Sequence, residues 1–229
     1  MSQRTGLIPV DDVHRWGADA TQRLLGFTIS ISDDEWREPS PLPGWSRAHV
    51  ATHLARNADH LRAVLDAAVA GLPQPEGPDA RQRLADLESG ADRDGLALQI
   101  DLDTSAGALQ ATLDHVVDWT PTVRLHGRSV PLPAVPLSRL HELCLHTLDL
   151  EVGYAPEAIE PAAAAWLLRW VLDLVTGADL PALRVEGDSL TAELGRGGEP
   201  RRITASDARL WAWLCGRLPA SAVSGADGL

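Results

Sequence analysis

The residues with the most chemical capacity are a few histidines and one carboxylate that fall inside apolar sequence. Between Leu137 and Val152 the chain is apolar nearly all round (Leu137, Leu140, Leu143, Cys144, Leu145, Leu148, Leu150), yet it carries Glu142 and His146. Four helical residues turn about 400°, so these two side chains share one face, about 40° apart. Burying a carboxylate and an imidazole there is costly unless both are satisfied, and a divalent ion satisfies both at once. A second stretch, opening at Ser46, offers His53 on an inner face that reads Val50, His53 or Leu54, Asn57, Leu61, Val64 and Ala68. A His–Glu–His set leaves positions open on the ion, the arrangement of a catalytic rather than a structural zinc site. Such ligation also suits nickel, cobalt or iron. His49 and His53 are themselves four residues apart, and spacing does not choose between them.

Other chemistries are excluded. The run His141-Glu142-Leu143-Cys144-Leu145-His146 is one residue longer than the metalloprotease H-E-x-x-H. Its two histidines lie about 140° apart around a helix and cannot chelate one ion from one face. All 20 basic residues are arginine, so there is no lysine for a Schiff base, a pyridoxal phosphate or a phosphate loop. Cys144 and Cys215 lie in apolar helical sequence and read as buried free thiols. A net charge of −12 disfavours nucleic acid. No stretch approaches the roughly 20 apolar residues of a membrane span, and Met1–Pro9 lacks a signal-peptide core. A cytoplasmic protein, monomeric by default, is expected. His14, His60, His115 and His126 read as solvated surface or turn residues.

The elements that must position the histidines follow from periodicity and punctuation. A first helix is predicted from Asp11 or Asp12 to about Phe27, with Val13, Trp16, Ala20 and Leu24 as its apolar stripe. A turn-rich stretch with Pro39, Pro41, Pro43 and Gly44 follows, then a second helix capped by Ser46 and ended by Gly71 and Pro73. A third helical region, about Asp79 to Trp119, is expected to break near Gly90–Gly95, because an internal glycine costs about 1 kcal/mol relative to alanine. Thr122–Val130 reads as a hairpin around His126-Gly127, and Leu137–Val152 as a central fourth helix. Beyond Pro156 come a helix over Pro161–Thr176, short strands at Leu183–Glu186, Leu190–Leu194 and Arg201–Thr204, and a helix over Ser206–Leu218. Ala220–Leu229 reads as a frayed tail. The organisation is α + α/β: a four-helix bundle over residues 1–155, then a small α/β domain over 156–229.

Three segments together resemble one family. They are Leu42-Pro43-Gly44-Trp45-Ser46-Arg47-Ala48-His49-Val50-Ala51-Thr52-His53-Leu54-Ala55-Arg56-Asn57; Gly127-Arg128-Ser129-Val130-Pro131 leading to Glu142-x-x-x-His146-x-x-Asp149-Leu150; and Trp213-Leu214-Cys215-Gly216-Arg217. In order and spacing they are similar to the mycothiol-dependent maleylpyruvate isomerases, and the resemblance covers most of the chain. It implies a DinB-like up-up-down-down four-helix bundle followed by a sterol-carrier-like α/β domain. It implies His53, Glu142 and His146 as metal ligands, with zinc the expected ion, and mycothiol as thiol co-substrate. Arg217 matches the family's essential C-terminal arginine, and its alternative is a helix-end cation. Asn57 and Arg81 match residues expected to bind the thiol cofactor, although the sequence after Arg81 departs from the family pattern. Asp149 is placed to orient the His146 imidazole, or to be solvated at the helix end. The implied reaction is the cis–trans isomerisation of maleylpyruvate to fumarylpyruvate through a thiol adduct. The alternatives are a mycothiol S-transferase acting on another electrophile and a non-catalytic small-ligand-binding protein.

Overall fold

A computed structural model describes residues 8–228; most of the Met1–Pro9 stretch read for a leader, and Leu229, lie outside the described residues. The described residues form two compact units, one built by Pro9–Gly153 and one by residues 154–228 together with Ile8. The fold is α + α/β, helical with two small sheets. No described helix is long and apolar enough to cross a membrane.

In the first unit the bundle helices are α1 (Val10–Thr28), α3 (Arg47–Val69), α5 (Gly95–Asp114) and α6 (Ala134–Asp149), with two short companions, α2 (Asp33–Arg37) and α4 (Ala80–Ala91). α1 and α3 each pack against both α5 and α6, so the four form a closed ring around the core. The strands β1 (Thr122–Leu125) and β2 (Arg128–Pro131) make an antiparallel hairpin before α6, turning at His126 and Gly127 in left-handed conformation.

Local chemistry explains these boundaries. Ser46 caps α3 by accepting from the His49 N–H while the His49 imidazole accepts from the Ser46 N–H, a reciprocal capping box. At the other end Gly71, at φ 65°, lets Leu72 N–H reach back to Ala67 O. The break between α4 and α5 has a packing cause: Asp94 caps α5, and Gly95 leaves room for the Trp36 indole, where a Cβ would lie 2.7 Å from Trp36 Cδ1. Gly90 gives α4 its close approach to Thr52 of α3.

Two expectations change in this unit. The stretch before Ser46 is not all turn, because Ser32 and Glu35 form a second capping box and start α2, which buries Trp36. The fourth bundle helix begins at Ala134 rather than Leu137; Pro136 sits in its first turn, where its missing N–H would have no helical partner.

The second unit comprises α7 (Pro161–Leu174), β3 (Pro181–Glu186), β4 (Thr191–Leu194), β5 (Arg196–Thr204) and α8 (Asp207–Leu214). The sheet order is β4-β3-β5, with β3 antiparallel to β4 and parallel to β5. Leu183, Val185, Ala192, Leu194 and Ile203 are its buried side chains. α7 packs on α8, and Gly187, in the turn after β3, lies against Leu168 and Leu210 of these helices. The tail is not frayed: Ser224 and Thr204 exchange both backbone hydrogen bonds, and Val223 and Ala226 are buried. Cys215 is half-buried rather than buried, whereas Cys144 is buried.

Gly195, in the tight turn between β4 and β5, has φ 70°, and a Cβ there would collide with the carbonyl oxygens of Leu180 and Pro181. Gly195→Ala is therefore expected to destabilise the protein by at least about 2 kcal/mol. Urea unfolding followed by circular dichroism checks this; an unchanged midpoint would show that the turn relaxes.

Candidate metal centre

The site is assembled by packing α3 against α6. Glu142 and His146 project from α6, and α3 brings His53 to them. His53 Nε2 lies 3.0 Å from Glu142 Oε2, and His146 Nε2 lies 3.3 Å from the same oxygen. One ligand atom from each residue falls within 4.8 Å of the others, and this is the only such group of three among the described residues. Two donors each about 2.0–2.1 Å from a tetrahedral zinc sit roughly 3.4 Å apart, so a modest adjustment of side chains already in place suits an ion. The donor set, two imidazole nitrogens and a carboxylate oxygen, is that of a borderline divalent metal.

The two α3 histidines have different surroundings. His49 Nδ1 is engaged by the Ser46 cap and its Nε2 lies 3.4 Å from Glu88, on the α4 side. His53, one turn on, faces Glu142. His141, also on α6, is buried but lies outside the three-residue cluster.

The electrostatics favour an ionised carboxylate. Burial opposes ionisation of Glu142, but hydrogen bonds from His146 and His53, and their charge, outweigh it and hold its carboxyl well below the ordinary range. Burial likewise disfavours His146 as a cation, yet its bonds to Asp149 and Glu142 raise its basicity overall. Asp149 is almost fully buried, and its Oδ2 accepts from His146 Nδ1 at 2.8 Å, which fixes the ring and turns Nε2 toward Glu142. The orienting alternative for Asp149 thus describes its geometry, and the solvated one does not.

Trp45 walls the cluster. The Leu42-Pro43-Gly44 turn, with Gly44 at φ 78° and Trp45 N–H bonded to Leu42 O, delivers the indole beside the histidines. Its ring lies 5.5 Å from His53 and 6.5 Å from His146, stacked on the latter at 21°.

The remaining expected residues have the following surroundings. Asn57 lies one turn beyond His53, and its Oδ1 accepts from Arg139 Nη1 at 2.9 Å, so it belongs to a polar network between α3 and α6. Arg81 is exposed in the first turn of α4. Arg217, in the second unit, follows Gly216 in a Schellman-type end to α8, and its Nη1 donates to Cys215 O at 2.7 Å. Of the four histidines expected to be solvated, His14 is instead half-buried, pairing with Gln110 and Asp114. Two residues at or beside the cluster were missed in the sequence: Trp45, which lay unremarked in the motif before Ser46, and Arg139. A charged residue one helical turn before Glu142, among the leucines of the same helix, was the available clue to the latter.

The sequence model of the family described as the mycothiol maleylpyruvate isomerase N-terminal domain matches residues 18–151, more than half of the chain. The protein therefore belongs to this family. Its fold is similar to that of a solved mycothiol-dependent maleylpyruvate isomerase, with a TM-score of 0.86 and 21% identity over 95% of this chain and 93% of that one. A histidine-to-alanine mutant of such an isomerase superposes with a TM-score of 0.85, at 20% identity and the same coverage. No curated protein sequence matches the chain.

Asp149→Asn is expected to weaken metal binding about 10- to 100-fold, the usual effect of removing a carboxylate that orients a ligating imidazole. Competition with a chromophoric chelator measures it. Affinity equal to that of the unmodified protein would reduce Asp149 to a packing residue.

Proposed function

We propose that this protein is a metal- and mycothiol-dependent isomerase that converts maleylpyruvate to fumarylpyruvate, with zinc as the ion and as a monomeric enzyme of the cytoplasm. The observation that carries the reading is the convergence of His53, Glu142 and His146 in a chain of this family. The relatives of known structure are mycothiol-dependent maleylpyruvate isomerases by name.

His53, Glu142 and His146 would hold the ion, which when bound supplies a Lewis-acid centre that keeps a thiol deprotonated at neutral pH, a nucleophile able to add reversibly to a cis double bond. The protein's own residues do the rest. Glu142 brings the one negative charge among the three ligands, and Asp149 holds a His146 proton on Nδ1, so Nε2, which faces Glu142, is the nitrogen that would give its lone pair to the ion in place of a proton. Trp45 sets an apolar ring beside both imidazoles and walls one side of the site. Arg217 is assigned a substrate carboxylate, or the enolate charge that develops from it, through charge-assisted hydrogen bonds. Asn57 and Arg81 are assigned to the thiol cofactor on the family resemblance. Asn57 Oδ1 is engaged by Arg139, so its contribution falls to its amide N–H groups.

Incubation of purified protein with zinc, mycothiol and maleylpyruvate tests the reading. Formation of fumarylpyruvate with the thiol recovered unchanged is the expected result. Stoichiometric loss of thiol would replace the isomerase with an S-transferase, and ligand retention without turnover would favour a binding protein.

A further inference from the structure

Glu142 and His146 share a helix, so their separation is built into α6. His53 rides on another helix, so the geometry of the three-residue set depends on how α3 and α6 are held in rotation and rise. Apolar packing between the two is non-directional and leaves that register soft. A directional restraint lies one turn away. Arg139 is on the same face of α6, about 20° from the line of His146 and about 60° from that of Glu142. Its side chain is buried, only 4% exposed. Nη1 donates to Leu54 O at 2.7 Å and to Asn57 Oδ1 at 2.9 Å. Both acceptors are on α3: Leu54 directly follows His53, and Asn57 is one turn beyond it. The bond to Leu54 O therefore fixes backbone adjoining the ligand itself.

Arg139 is poorly suited to a merely supporting role. Its other terminal nitrogen, Nη2, is buried with no hydrogen-bond partner among the described residues. Burial lowers its basicity to about 10, against the opposing charges of Glu142 and Asp59, so it remains a cation at neutral pH. A buried, incompletely satisfied cation is weak evidence for stability, and an apolar side chain of similar volume often serves the fold as well.

We propose that Arg139 is a positioning residue for the metal centre, a guanidinium clamp that ties α3 to α6 one turn from the ligands and sets the distance of His53 from Glu142 and His146. The clamp rests on the reading of those three residues as a metal site. It acts through His53 rather than on the ion, and nothing in it requires contact with substrate.

The test uses the full-length protein and zinc alone, with no thiol or substrate. Arg139→Lys keeps the charge, so the repulsion between a cation and the ion stays nearly constant, but its shorter side chain ends short of the Nη1 position from which both acceptors are bonded. Asn57→Ala removes one acceptor and changes no charge. Zinc affinity is expected to fall about 10- to 100-fold in Arg139→Lys, the range for groups that hold ligands in place, and by a smaller factor in Asn57→Ala. The double variant is expected to be little worse than Arg139→Lys, because both changes cut the same link. Cobalt-substituted Arg139→Lys is expected to show an altered visible absorption spectrum, a change in coordination geometry that a loss of general stability does not produce. Circular dichroism confirms folding, and if Arg139→Lys does not fold, Asn57→Ala decides the matter. Folded variants with zinc affinity within twofold of the unmodified protein and an unaltered cobalt spectrum would overturn the clamp alone. An unmodified protein that takes up neither metal would overturn the metal reading, and the clamp with it.

Discussion

Glu142→Ala is expected to empty the metal centre, lowering zinc from about one ion per chain to below about a tenth after purification without a histidine tag. The reason lies in the geometry. Both imidazoles direct Nε2 at the same oxygen, Glu142 Oε2, at 3.0 and 3.3 Å. Removing that oxygen deletes one ligand of three and the only anionic one, leaving two neutral donors on separate helices. Glu142→Gln separates the two contributions, because it keeps an oxygen donor of the same reach but no charge; its zinc content is expected to fall between those of the unmodified protein and the alanine variant. Neither change adds an unpaired buried charge of its own, and both variants are expected to fold, as circular dichroism will show. His53→Ala is expected to lose zinc as Glu142→Ala does, since the third ligand then has no replacement on α3: His49 is turned toward the Ser46 cap and Glu88. Full zinc content in both alanine variants would remove the metal from this site.

Arg217→Ala is expected to reduce turnover about 100- to 1000-fold while leaving zinc content unchanged, the effect typical of losing one donor to a developing negative charge. The local structure sets the contrast for this experiment. Arg217 donates to Cys215 O at the C-terminal end of α8, a bond that by itself contributes only about 0.5–1.5 kcal/mol to folding. If that bond were its whole role, Arg217→Ala would lower stability slightly and leave kcat intact. Arg217→Lys sharpens the comparison, since lysine keeps the charge but not the planar pair of donors that suits a carboxylate. A kcat that falls in both variants, most in alanine, identifies carboxylate or enolate recognition, whereas unchanged turnover in alanine would leave Arg217 as a helix-end cation.

The two variants probe different failures. Glu142→Ala reads the presence of the ion and needs no substrate, so it stands whatever reaction the protein catalyses. Arg217→Ala reads chemistry and depends on the assignment of maleylpyruvate or a related carboxylate as substrate. Retained zinc with lost turnover in the second variant, beside lost zinc in the first, would divide the work between holding the ion and handling the substrate.

The sequence by itself determined what is local. Both ends of α3 followed from short-range signals, the Ser46 cap and Gly71, whereas the last helix stops at Leu214, short of the Leu218 expected, because Gly216 at φ 74° turns the chain. The face shared by Glu142 and His146 was legible because a four-residue step on one helix fixes their relation before any tertiary contact forms. The resemblance to the family rests on the same kind of information, motifs read along the chain. Where the local signal was weak, the reading missed. α2 is five residues long, and its capping box was passed over because no apolar period accompanies it. The tail lacks regular structure but is held by Thr204 and by the burial of Val223 and Ala226.

Tertiary structure decided what depends on two elements at once. His49 and His53 stand one turn apart on α3 and are equivalent by spacing. Only the packing of α3 on α6, with the cap at Ser46 and Glu88 nearby, directs one to the helix end and the other to Glu142. Arg139 was not singled out in the sequence, where a basic helical residue ordinarily reaches solvent. It is buried because α3 presents a backbone carbonyl and an amide oxygen at hydrogen-bond distance, acceptors 85 and 82 positions away that no periodicity along α6 reveals. The pattern of one chain segment states which faces it must bury, but the partner that satisfies a buried polar group comes from another segment, and its position exists only once the two have packed.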